Sequence, residues 1–71
     1  MKKIYKAELN TAVVYLVGEE DNTISMIFQT LEDATSYKNG KKVSSIATAV
    51  NTEVLAFGKT LGYITNKIEV E

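Results

Sequence analysis

From Ile4 to Val17 apolar and polar positions repeat with a period of two. Tyr5, Ala7, Leu9, Thr11, Val13, Tyr15 and Val17 fall on one side. Ile4, Lys6, Glu8, Asn10, Ala12, Val14 and Leu16 fall on the other. Such a period belongs to a β-strand, whose successive side chains point to opposite faces. The second side is polar early and apolar late, which fits one long strand or two strands meeting near Asn10 and Thr11. No glycine marks a tight turn there, so one long or slightly bent strand is the expectation.

Gly18-Glu19-Glu20-Asp21-Asn22 has the composition of a turn. Alternation resumes from Thr23 to Leu31, with Ile24, Met26 and Phe28 on one face and Ser25, Ile27 and Gln29 on the other. Strand, acidic loop and strand predict a β-hairpin. Between Leu31 and Lys42, Thr30 suits the N-cap of a short helical turn. Glu32 and Asp33 would then occupy its first turn, where the helix dipole favours carboxylates. Asn39-Gly40 would end it, since both residues tolerate a left-handed backbone. The same pair also fits a type I′ hairpin turn, but Tyr37-Lys38 and Lys41-Lys42 lack the alternating flanks that turn wants.

Val43 to Leu61 carries the strongest helical pattern. At about 100° per residue, Val43, Ile46, Ala47, Val50, Val54, Phe57 and Leu61 fall within roughly 100° of arc. Ser45, Thr48, Thr52 and Lys59 lie opposite, and Gly62 stands where a C′ residue should. Propensity is poor, because Ser44, Ser45, Thr48, Asn51, Thr52 and Gly58 favour helix weakly, so such a helix depends on packing its stripe. Tyr63 to Glu71 is expected to close the chain as a strand, with Ile64, Ile68 and Val70 pointing one way. The predicted fold is α+β: a small mixed β-sheet, made of an N-terminal hairpin and a C-terminal strand, packed on one face by a single long α-helix in ββαβ order. That order resembles β-grasp layouts in topology alone, and topology does not give function.

Composition narrows the field. With 71 residues the chain is expected to form one small domain, residues 1–71, burying about 60% of its unfolded surface. There is no Cys and no His, so disulfides, thiolate metal sites and the commonest general base are absent. All eight basic residues are Lys, against nine acidic ones, for a formal charge of −1. Duplex DNA readers are usually basic and use Arg forks, so that partner is not expected. Lys6, Glu8 and Asn10 interrupt the N-terminus before a signal-peptide core develops. No stretch reaches the roughly 18 apolar residues of a membrane helix. A cytoplasmic protein without cofactor or membrane attachment is the expectation.

Both faces of the hairpin look apolar, through Ala12 to Val17 and Met26 to Phe28. One helix covers one face, so the other should be buried by a second copy or another protein. Val13, Tyr15, Met26 and Phe28 are the candidates for that interface, with strand addition at an edge as a further route. Gly40, Lys41, Lys42 and Ser44 would lie at the start of the predicted long helix, where backbone N–H groups can hold an anion. They do not form a P-loop, because Thr35 and Lys42 stand where that motif needs Gly and Ser or Thr. Glu19 to Asn22 lacks the alternation and central glycine of a calcium loop. An alternative function is weak binding of single-stranded nucleic acid by Lys2, Lys3 and Lys6 with Tyr5, Tyr15, Phe28, Tyr37 and Tyr63. Catalysis is not expected, since Lys59 and Glu53 have no partner by spacing. The leading expectation is a small protein-interaction domain: an assembly subunit, adaptor or inhibitor.

Overall fold

The first alternating run breaks in the middle. In a computed structural model, which describes residues 2–10, 12–19 and 24–70, it forms two antiparallel strands, β1 (Lys2–Glu8) and β2 (Val13–Glu19). The Leu9 N–H donates to the Ala12 carbonyl at 2.8 Å and closes the turn between them. The single long strand is therefore corrected to two. A turn needs glycine only where its backbone enters positive φ, so the missing glycine was no evidence of continuity.

The hairpin expected next is present. β3 (Ile24–Phe28) pairs antiparallel with β2, placing Tyr15 opposite Phe28, Leu16 opposite Ile27 and Val17 opposite Met26. The acidic tip at residues 20–23 lies outside the described residues. The short helix also forms, as α1 (Leu31–Lys38). The Thr30 hydroxyl accepts from the Asp33 N–H at 3.1 Å, and Glu32 and Asp33 fill the first turn. At the far end Gly40 takes φ +88°, its N–H donates to Tyr37, and the Lys41 N–H donates to Ser36. This is a Schellman ending with glycine at C′.

The long helix does not exist. The chain beyond residue 45 forms β4 (Ala47–Val50), β5 (Glu53–Ala56), β6 (Lys59–Tyr63) and β7 (Asn66–Glu69). Among the described residues, the predicted small mixed sheet under one long helix gives way to seven antiparallel strands forming a half-barrel, with one short helix. The stripe at helical spacing was a coincidence of short strands. Ala47 and Val54 point into the core, whereas Phe57 sits on a turn and Leu61 is an extra residue at a bulge between β5 and β6. Thr and Val along these strands suit a pleated surface, and weak helix propensity offered no resistance.

The strand order is β6-β5-β4-β3-β2-β1-β7, and every described pair is antiparallel. It follows that β6 and β7, the two edges, run in the same direction and follow each other in sequence. The closing segment thus leaves β5 and crosses to β1. The sheet is rolled: a Cβ at Gly62 of β6 would lie 3.4 Å from Leu9, the residue after β1.

Two cores result, one on each face. The inner face gathers Ala7, Val14, Leu16, Ile27, Ala47, Ala49 and Val54. On the outer face Ile4, Val17 and Phe28 pack with Ala34 of α1, flanked by Tyr15, Met26, Tyr37 and Val43. Each fully buried Ile, Val or Phe contributes about 1.5–3 kcal/mol by leaving water.

Candidate interaction groove

α1 packs on β1, β2 and β3. From β3 to β6 the outer face carries two cross-strand rows, since residues paired across a sheet share a face. One row is Ile24, Val50, Glu53 and Tyr63; the other is Met26, Thr48, Leu55 and Thr60. A groove of about 510 Å³ lies here, lined by Ile24, Ile46, Val50, Leu55 and Phe57 among others, and the described residues of its lining are uncharged. Ile24 is 47% exposed and Ile46 50%. Glu53 is bound by the Thr60 hydroxyl, which holds this carboxylate against β6.

Phe57 is the unusual member. It is 100% exposed, at the tip of the β5–β6 hairpin. Phe57 and Gly58 have φ +53° and +74°, the positive values that a type I′ turn requires at both central residues. Asn-Gly or Gly-Gly fills such a turn without penalty, whereas a bulky residue in the left-handed region costs about 1–2 kcal/mol. Phe57 therefore holds a strained backbone and an exposed ring together, and the chain's own core gains nothing from either.

The four residues expected at the interface are distributed differently. Phe28 is 1% exposed, closed off by α1, with its ring 5.1 Å from that of Tyr37. Tyr15 and Met26 are half-buried against the same outer core, and Val13 is exposed. The face expected to await a partner is covered within the chain near β1 and β2, and open farther along. The helical stripe places Phe57 and Ile46 in a helix core. The signal that could have found Phe57 was Gly58 behind it, read as a hairpin turn rather than as a weak helix residue.

The anion site loses its basis. No helix begins after Gly40, Lys41, Lys42 and Ser44; a helix ends there, at the end of the dipole that repels anions. The Gly40 and Lys41 N–H groups are already spent on the Schellman bonds. The aromatic residues proposed for nucleic acid do not share a face. Tyr5 packs against the inner core with the Lys67 ammonium 4.9 Å from its ring centroid, while Tyr37 belongs to α1 with Lys2 at 5.0 Å. Phe28 is buried and Tyr63 lies on β6.

Among the described residues there is no group of three acidic, His or Cys side chains placed to hold a metal. No helix among them is long and apolar enough to cross a membrane. A smaller depression of about 180 Å³ lies over Asn51, Thr52 and residues 64–67. No family model, curated protein or solved structure matches the chain.

Proposed function

We propose that the protein is a small interaction domain that binds protein through the groove at Phe57. The observation that carries this reading is the combination at residue 57: a fully exposed aromatic ring held on a strained turn beside an open apolar groove. Folding alone would favour Asn or Gly at that position, so the ring is best explained by something outside the chain. Aromatic anchors surrounded by apolar neighbours are the usual centres of protein interfaces. The groove presents shape and apolar surface, the chemistry of a protein partner. A cytoplasmic setting fits a chain without cysteine.

The test is a photocrosslinker at the ring itself. Phe57→p-benzoylphenylalanine, irradiated in the cell, should give a covalent adduct between this chain and a protein. The control is the same probe at Leu31, which is exposed on α1. No adduct from position 57, or an identical set from both positions, would contradict the reading.

A further inference from the structure

We infer that the occupant of the groove is a second copy of this chain, in a two-fold dimer where each Phe57 inserts into the other copy's groove. This rests on the interaction reading above and names its partner. A two-fold interface must be self-complementary, so one molecule must carry both the projection and its receptor. Here they are adjacent: Phe57 stands at the rim of the groove that Ile24, Ile46, Val50 and Leu55 line. At about 510 Å³ the groove has room for a phenyl ring.

Area favours reciprocity. Burying a fully exposed Phe removes about 200 Å² on the ring, and a comparable area on the surface that receives it. One insertion thus buries about 400 Å², well short of the ~1,000 Å² of a specific interface. Two related insertions bury about 800 Å², and contact along the rims, where Tyr63 is 57% exposed, supplies the remainder.

Charge points the same way. The described residues that line the groove are uncharged, and the chain's formal charge is only −1, so a second copy brings little net charge to the contact. A strongly charged partner would find no opposite charge among these described residues. Joining copies through the β6 edge is the poorer route, because the bulge at Leu61 interrupts it.

Sedimentation velocity of the full chain from about 1 µM to 1 mM, the range of moderate protein affinities, tests the dimer. The wild type should convert from monomer to dimer. F57N places the favoured Asn-Gly pair in the turn, keeps the fold, and should raise the dissociation constant at least about 30-fold, the scale of losing one hot-spot residue. I46K, at a half-exposed groove residue, should weaken the dimer independently. A wild type that stays monomeric throughout overturns the dimer, while an adduct to another protein at position 57 would leave the interaction reading standing. A dimer unchanged by both substitutions overturns the dimer mode and the groove reading together.

Discussion

The Thr65 N–H donates to the carbonyl of Glu8 at 2.8 Å, and the Thr65 hydroxyl donates to the same oxygen at 3.1 Å. One residue earlier, the Ile64 N–H donates the other way, to the carbonyl of Thr52 in the β4–β5 turn. The chain is thus stitched on both sides where it passes from the β5 edge to the β1 edge. Val70 continues the second seam with a bond to Ile4. These contacts join the ends of the sequence, and they hold the inner core shut.

Thr65→Pro removes the donor of that central bond and should cost about 2 kcal/mol. For a domain of this size that lowers the midpoint of thermal unfolding by roughly 10 °C. Thr65→Ala, which keeps the N–H, should cost well under half as much. Equal, negligible effects in thermal melts would show that the seam contributes nothing.

Phe28 and Phe57 should respond in opposite ways to truncation. Phe28→Ala empties a buried site under α1 and should cost about 3–5 kcal/mol, most of the stability a small domain possesses. Phe57→Asn releases a left-handed strain and should raise the stability of the dilute monomer by about 1 kcal/mol. Urea titration of both variants checks the contrast. A Phe28→Ala chain as stable as wild type would mean that α1 does not seal this face.

Gly18 and Gly40 resist a side chain for different reasons. A Cβ at Gly18 would lie 2.5 Å from the Ser25 hydroxyl oxygen and 3.2 Å from its Cβ, across the β2–β3 pair. Gly40 has open space around it but φ +88°. Gly18→Ala should therefore be rescued by Ser25→Gly in a double-mutant cycle. Gly40→Ala should cost about 1 kcal/mol whatever its neighbours, and Gly40→Asn should cost less. Failure of Ser25→Gly to recover any stability would contradict the steric origin of the Gly18 effect.

The helix is short, and its spectrum should say so. α1 has 8 residues in a chain of 71. Far-ultraviolet circular dichroism should report about a ninth of the chain as helix, within a strand-dominated spectrum. Thr30→Ala, which removes the N-cap bond, should cost about 1 kcal/mol. A helical signal near a quarter of the chain would restore a helix from Val43 to Leu61.

Local signals were legible in the sequence wherever they had one meaning. Thr30, Glu32, Asp33 and Asn39-Gly40 specified the ends of α1, and alternation on either side of an acidic loop specified the β2–β3 hairpin. The span from Val43 to Leu61 had two meanings. Ala47, Val50 and Val54 satisfy a helical stripe, yet they also fit strands of four residues separated by turns at Asn51-Thr52 and Phe57-Gly58. Short strands hold too few alternations to outweigh an accidental 3.6-residue period. Phe57 hid its own turn, because a bulky residue is the last expected at positive φ. The proposed groove was hidden for the same reason: the helical stripe takes Ile46, Val50 and Phe57 into a helix core, and the alternation of the hairpin takes Phe28 to an open face that α1 covers.

The chain has two phenylalanines, one buried and one fully exposed, so a single spectrum can address both. With 4-fluorophenylalanine incorporated throughout, fluorine NMR should give two lines, and F57N identifies them by deleting one. As protein concentration rises, the Phe57 line should shift and broaden as its ring enters the partner copy's groove, while the Phe28 line stays fixed. If the Phe57 line is unmoved across the range, or the Phe28 line moves in its place, the groove at Phe57 is not the contact surface.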